Sequence, residues 1–304
     1  MFEPSYLKLY ESGGLDERIE KLYKILESCE LCPRRCGANR LEEKKGYCRS
    51  GKELTISSYG PHFGEEPELV GRNGSGTIFL TKCNLLCIYC QNYEISHLGY
   101  GEDVSISEAA EMMLKLQGMG CHNINLVTPT HFEPQLVKAI SVAVGRGLKL
   151  PIFWNCSGYE NVEAIKLLDG IVDIYKPDIK YSESEPAKKY SNAPDYFERC
   201  KEAVKEMYHQ VGDLKVDSRG IAYRGLLIRH LVLPNNLAGS EKVLEFIAEE
   251  ISKESYVNIM DQYRPCGKAY EYKELNRRPT SIEYFKVVDY ARKLGLHHGF
   301  SVHK

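Results

Sequence analysis

Hydrophobic positions change their spacing twice along this chain. Over residues 15–28 they recur at helical intervals, with Ile19, Leu22, Tyr23 and Leu26 on one face, which predicts a helix. Over residues 57–76 no period is sustained, and Gly and Pro punctuate a polar stretch. That segment reads as a connector carrying one short strand at its front, over residues 54–57. Beyond Gly76, short apolar or β-branched runs alternate with longer segments of helical period. The runs at 77–81, 124–128, 152–156, 172–175, 226–233 and 257–260 predict six strands. Among the helices between them, Ser105-x-x-Glu108 and Thr280-x-x-Glu283 have the form of capping boxes. Val243, Leu244, Ile247 and Ile251 form one apolar stripe, and Ile282, Phe285, Val288 and Ala291 another. Strand–helix alternation implies an α/β fold with a parallel sheet and right-handed crossovers, and six units favour a partial (βα)6 barrel. The expected organisation is a small cysteine-rich module and connector over residues 1–70, then the barrel over residues 71–304.

Composition narrows the function classes. Lys and Arg number 40 against 42 Asp and Glu, a net charge of −2, so no global field draws the chain to nucleic acid or an anionic membrane. The first residues, Met1-Phe-Glu-Pro-Ser-Tyr6, lack a basic stretch followed by an apolar run, and no apolar run approaches a membrane span. A cytoplasmic location is expected. Cysteine stands out, with 11 residues. An odd number without an export pattern points to metal or cluster binding instead of a disulfide framework. Four cysteines gather at Cys29, Cys32, Cys36 and Cys48, and three at Cys83, Cys87 and Cys90. Cys121, Cys156, Cys200 and Cys266 read as buried small hydrophobes, the last, in Arg264-Pro-Cys266-Gly, with a substrate-side position as its other reading.

In barrels of this kind chemistry collects where strands end. The expected strand ends carry Lys82-Cys83, Thr128-Pro-Thr-His131, Asn155-Cys-Ser157, Lys176-Pro-Asp178-Ile-Lys180, Pro234-Asn235 and Asp261-Gln-Tyr263. The segment Cys83-x3-Cys87-x2-Cys90 follows the first of them. Three thiolates on a tight loop bind three irons of a [4Fe–4S] cube and leave the fourth open, whereas four would close it. Reduced thiols, or a zinc site completed by His97, are the other readings of the triplet. Gly71-Arg-Asn-Gly74-Ser-Gly76 is no dinucleotide loop, because it precedes a strand instead of following one.

With its aromatic residue before the third cysteine, this triplet resembles the cluster signature of the radical S-adenosylmethionine (SAM) superfamily. The continuation Cys90-Gln-Asn92 is similar to glycyl-radical activating enzymes, in particular the pyruvate formate-lyase activating enzyme-like group. Cys32-Pro-Arg-Arg-Cys36-Gly, Val127-Thr-Pro-Thr-His-Phe132, Tyr175-Lys-Pro-Asp-Ile-Lys-Tyr181 and Arg229-His-Leu-Val-Leu-Pro234 carry the resemblance over nearly the whole chain. It implies that a [4Fe–4S] cluster on Cys83, Cys87 and Cys90 holds SAM. Its reductive cleavage gives methionine and a 5′-deoxyadenosyl radical that abstracts a substrate hydrogen. A protein glycine is one substrate class, and a small molecule or peptide side chain the other; flavodoxin or ferredoxin would be the electron donor.

The same resemblance marks candidate SAM contacts. Tyr89 matches the position whose ring and backbone meet adenine, with plain packing as the alternative. Thr128 and Thr130 stand where the family usually has a Gly-Gly-Glu element, and hydroxyls cannot match an ammonium charge for charge; a strand-end cap is the other reading. Asn155 and Ser157 would bond the ribose or the methionine carboxylate. Asp178 and Lys180 match an Asp-x-Lys element, on one face of an extended segment. Arg229 and His230 are polar in an otherwise apolar strand, so one faces inward. A buried Arg229 requires an anion, which the SAM carboxylate or the cluster edge would supply, and His230 reads as a satisfied core histidine. Cys29, Cys32, Cys36 and Cys48 make a complete four-thiolate set, for a second [4Fe–4S] cluster or for zinc, with Arg34 and Arg35 offsetting its charge.

Overall fold

The computed structural model describes residues 2–300. Two helices open the chain, α1 (Tyr6–Glu11) and α2 (Gly14–Ile25), and α2 buries Leu15 and Leu22 while its Lys and Glu residues face out. The cysteine-rich loops follow, then β1 (Leu54–His62), the short α3 (Pro67–Val70), β2 (Ser75–Leu80) and β3 (Glu102–Val104). From there helices and strands alternate: α4 (Ile106–Gly118), β4 (Ile124–Val127), α5 (Glu133–Gly145), β5 (Ile152–Cys156), α6 (Val162–Leu167) and β6 (Ile174–Pro177). The last third holds α7 (Ser184–Ser191), α8 (Tyr196–Val211), β7 (Lys215–Val216), β8 (Ala222–Leu231), α9 (Ser240–Phe246), β9 (Tyr256–Met260) and α10 (Ser281–Lys293).

The strands pair in the order β3-β1-β2-β4-β5-β6-β8-β7, and β9 joins β8. β2, β4, β5, β6, β8 and β9 run parallel, so the six expected strands form a (βα)6 partial barrel. Both capping boxes are present, Ser105 with Glu108 at α4 and Thr280 with Glu283 at α10. Helix α10 is rotated from the expected stripe: Val287, Val288 and Ala291 are buried, but Ile282 and Phe285 are exposed. The Tyr284 hydroxyl donates to the Ile259 carbonyl at 3.3 Å.

The supposed connector differs most from expectation. β1 extends nine residues and pairs antiparallel with both β2 and β3. A register shift between Ile56 and Ser58 resets the inward-outward alternation, which erases the period-2 signal there. β3 and β7 are too short and polar to be legible from spacing. Residues before position 71 therefore share the barrel's sheet. They share its core too, since Tyr6, Leu15, Leu22 and Cys29 lie in one buried cluster with Leu80, Leu126 and Trp154. No described helix is long and apolar enough to cross a membrane.

Candidate functional site

Side chains from all six parallel strands define the barrel lumen in layers. Phe153, Ile174 and Leu227 meet Leu69 of α3 in a buried apolar floor. Above it lies a charged layer. Lys176 of β6 pairs with Glu65 and, at 3.5 Å, with Glu66. Arg229 of β8 donates through Nε to Glu66 Oε1 at 2.6 Å, and through Nη2 to Glu65 Oε2 at 2.8 Å and Glu66 Oε2 at 3.0 Å. Asn258 of β9 donates to Glu66 at 2.7 Å, and Asn125 of β4 to Glu65 at 3.2 Å and to Thr77 at 3.1 Å. Two carboxylates meet two cations, so the buried layer is neutral. Burial alone would raise the Glu66 carboxyl, but Lys176 and Arg229 hold it near 2. The expectation that a SAM carboxylate partners Arg229 is thus replaced: Glu65 and Glu66, from the aperiodic segment, are the anions.

One step nearer the strand ends, at i+2 on the same face, Phe79, Val127, Asn155, Asp178 and Met260 are partly exposed. The Lys180 ammonium binds Asp178 Oδ2 at 2.6 Å. Burial would lower the Lys180 pKa, but Asp178 and the Cys87 and Cys90 sulfurs raise it overall. The Asp178–Lys180 pair therefore faces the cysteine loop. The Tyr196 hydroxyl holds this strand end, donating to the Ser157 carbonyl at 2.8 Å and lying 2.7 Å from the Asp178 carbonyl. Gly158 adopts φ +76°, and a Cβ there would stand 2.5 Å from the Asp178 carbonyl, so only glycine fits.

The three-cysteine loop follows β2, with Lys82 at φ +65° and Leu86 at φ +53°. Two of the sulfurs meet a donor. The Leu85 amide points at Cys83 Sγ (3.3 Å) and the Ser96 hydroxyl at Cys90 Sγ (3.3 Å), while Ser191 lies near Cys87. Burial, then Cys87 and Cys90, push the Cys83 thiol up to about 12. Three soft donors on one loop, with N–H and O–H groups beside them, suit a cluster's thiolates, whose potential such bonds tune. Among the described residues no three His, Cys, Asp or Glu side chains gather closely enough to hold a single metal ion. His97 stacks on Tyr93 with ring centroids 4.1 Å apart, and its Nδ1 lies 2.9 Å from the Ser96 hydroxyl.

The remaining candidates are placed as follows. The Tyr89 ring is buried between Tyr181 and Tyr263, with ring centroids 6.3 and 5.8 Å away. Thr130 is fully buried and donates to Glu160 at 2.8 Å. Thr128 caps β4 at φ +61°, a costly conformation for a β-branched residue. Ser157 is buried beside Gly158. The segment with Cys266 lies over the cluster loop, where the Lys268 amide donates to the Ile88 carbonyl at 2.8 Å. Sequence reasoning missed Glu65, Glu66, Ser96 and Ser191; only the adjacent Glu65-Glu66 pair before Pro67 offered a signal.

Cys29, Cys32, Cys36 and Cys48 line one small cavity with Leu31, Arg34, Arg40, Tyr47 and His131. Cys36 alone of the four is exposed. Gly46 lies so close to Cys36 that a Cβ would stand 2.2 Å from its sulfur. Arg40 is 1% exposed and binds the Gly51 carbonyl at 2.7 Å and the His131 carbonyl at 2.6 Å, with Cys29 Sγ 4.0 Å from Nη1. Arg35, expected to offset charge here, is exposed.

Residues 77–216 match the model of the radical SAM superfamily. An uncharacterized protein of Methanocaldococcus jannaschii, MJ0674, is 33% identical over 97% of this chain and 83% of its own length. The chain belongs to the radical SAM superfamily. A second uncharacterized protein of that organism, MJ0808, is 22% identical over 92% of this chain and 81% of its own. Among solved structures, a radical SAM methyltransferase from Sphaerobacter thermophilus gives a TM-score of 0.48 at 13% identity over 73% of this chain. Methylornithine synthase (PylB) gives 0.48 at 14% over 70%. This chain spans 64% and 60% of those two solved chains. Superfamily membership implies a [4Fe–4S] cluster and SAM, and the triplet fits that group.

Proposed function

We propose that this chain is a radical SAM enzyme in which Cys83, Cys87 and Cys90 hold the cluster and Asp178 and Lys180 orient SAM. The observation that carries this reading is the Asp178–Lys180 pair facing the Cys87 and Cys90 sulfurs at the mouth of the lumen. A cluster held there would supply the electron for reductive cleavage of SAM to methionine and a 5′-deoxyadenosyl radical, the species that would take a hydrogen from the substrate. The chain's residues do the positioning. Asp178 accepts from an ammonium and Lys180 donates to a carboxylate, so the pair suits a zwitterion. Asn155, partly exposed on the same face, offers amide bonds to a ribose or carboxylate. The neutral Glu65–Glu66–Lys176–Arg229 layer lies beneath and presents no net charge to compete for the ligand.

The substrate follows one of two lines. Similarity of the Cys90-Gln-Asn92 segment to activating enzymes favours a protein glycine. A polar cleft beside β9, lined by Glu66, Arg229, Asn258, Gln262 and His297, favours a small polar molecule instead. A flavodoxin or ferredoxin would supply electrons. Cys29, Cys32, Cys36 and Cys48 would hold a metal centre of their own, a second cluster or zinc, by drawing together around the cavity they line, since no three of them already stand close enough for a single ion. Buried Arg40, with carbonyl partners but no carboxylate among the described residues, favours anionic thiolates beside it. The test is anaerobic reconstitution followed by measurement of 5′-deoxyadenosine. Wild type should release it under a low-potential reductant, and Cys83→Ala, Cys87→Ala and Cys90→Ala should not. Undiminished release from a folded triple variant would refute the assignment.

A further inference from the structure

Arg34 sits in the turn between Cys32 and Cys36, yet its guanidinium reaches the other cysteine loop. Its Nε donates to the Asn84 carbonyl at 3.1 Å and its Nη2 to the Leu85 carbonyl at 3.4 Å. Both carbonyls lie between Cys83 and Cys87, and the Leu85 amide in turn donates to Cys83 Sγ. Nη2 also donates to the Ser191 carbonyl at 2.8 Å, and Nη1 to the Asn192 carbonyl, at the C-terminal end of α7. The Ser191 hydroxyl lies 2.8 Å from that of Tyr181 and near Cys87. Tyr47 and Tyr159 flank the guanidinium, at 3.9 and 5.2 Å from their ring centroids.

The rigid fork of arginine is what allows one side chain to meet four carbonyls on two separate segments, and lysine could not. Those carbonyls sit in irregular backbone, where ladder bonds do not supply donors. Arg34 has no carboxylate partner among the described residues, so its placement depends on the turn that carries it. That turn holds Arg35 at φ +40°, a strained conformation for a non-glycine residue. A metal bound at Cys32 and Cys36 would pin both ends of the turn. We propose that Arg34 is a positioning residue that ties occupancy of the four-cysteine centre to the shape of the Cys83–Cys90 loop. The proposal rests on the reading that both cysteine groups bind metal.

The experiment compares wild type, Arg34→Met, Cys36→Ser and the double variant, all prepared anaerobically. It reads amide hydrogen exchange over residues 83–92, the electron paramagnetic resonance spectrum of the reduced triplet cluster, and metal content. Arg34→Met should keep the four-cysteine metal yet raise exchange over 83–92 by about tenfold and alter the spectrum. Cys36→Ser should do the same by losing that metal, and the double variant should go no further than either alone. Arg34→Lys should behave like Arg34→Met. Unchanged exchange and spectrum in Arg34→Met, or additive effects in the double variant, would overturn the coupling. An absence of metal at the four cysteines in wild type would overturn the underlying reading and the coupling with it, and the metal count separates that case. Should Arg34→Met not fold, Tyr47→Leu removes the stacking alone, and unchanged exchange there would equally count against the proposal.

Discussion

Arg229 and Lys180 are both cations near the lumen, but their surroundings assign them different work. Arg229 is spent on Glu65 and Glu66, with its side chain 16% exposed against 5% and 2% for the two carboxylates. Removing it leaves one cation, Lys176, for two buried anions. Arg229→Met should therefore cost about 3–5 kcal/mol of stability, measured by urea unfolding, because an uncompensated buried charge remains. Lys180 and Asp178 lie partly open at the lumen's mouth. Asp178→Asn and Lys180→Met should leave iron content intact and weaken SAM binding on the order of ten- to a hundredfold, through loss of a charge-assisted bond of about 1.5–3 kcal/mol. Equal SAM affinity in both variants and wild type would return the pair to a structural role. The pair was legible in the sequence because it lies two residues apart on one strand end. The partners of Arg229 were not, since 163 and 164 residues separate it from Glu66 and Glu65.

At the scale of elements, the joints between strands and helices carry the consequences. His230 of β8 is fully buried, with Nδ1 donating to the Ile179 carbonyl at 2.7 Å and Nε2 2.8 Å from the Ser240 hydroxyl at the start of α9. It is the satisfied core histidine expected from its setting. Burial lowers its pKa to about 4, below the usual 6.5. Between those values the unfolded chain binds a proton that the folded chain refuses, so stability falls as pH drops through that window. The full loss is about 3 kcal/mol at pH 4. Chemical denaturation of the metal-free chain at pH 7 and pH 4.5 should show it alongside the same effect from buried His131, and His230→Gln should reduce the acid loss without abolishing it. An unaltered slope in that variant would assign the acid sensitivity elsewhere. Elements with a sustained period were readable: the six barrel strands, α4 and α10. β1 was only partly so, because its bulge breaks the alternation on which a strand is recognised.

For the whole molecule, the question is how two cysteine groups share one fold. The first group lies outside the sheet, in loops that follow α2, and the second on the loop after β2. Four thiolates make a closed set and three an open one, so each group should load without borrowing from the other. The combined Cys83→Ala, Cys87→Ala, Cys90→Ala chain should therefore keep a metal centre. A brown chain with about half the wild-type iron would identify a second cluster, and a colourless one carrying zinc would identify a zinc centre. Metal-free protein from that variant would refute an independent site. Because helices α1 and α2 share the barrel's core, loss of the first centre should disturb the cysteine loops while the sheet persists.

Chemistry borne by neighbouring residues was determined by the sequence alone. The two cysteine groups, the Asp178-x-Lys180 pair, the capping boxes and the six-fold strand–helix alternation are all local patterns, and local patterns need no fold to be read. Tertiary structure decided everything that depends on residues far apart meeting. It placed Glu65 and Glu66 beneath the lumen and turned Thr130 towards Glu160. It gave the charge-facing role beside Cys29 to Arg40 in place of Arg35, and it set Arg34 against the second cysteine loop. In each case the deciding influence was the cost of a buried polar or charged group without a partner, and only the folded chain determines which groups are buried together.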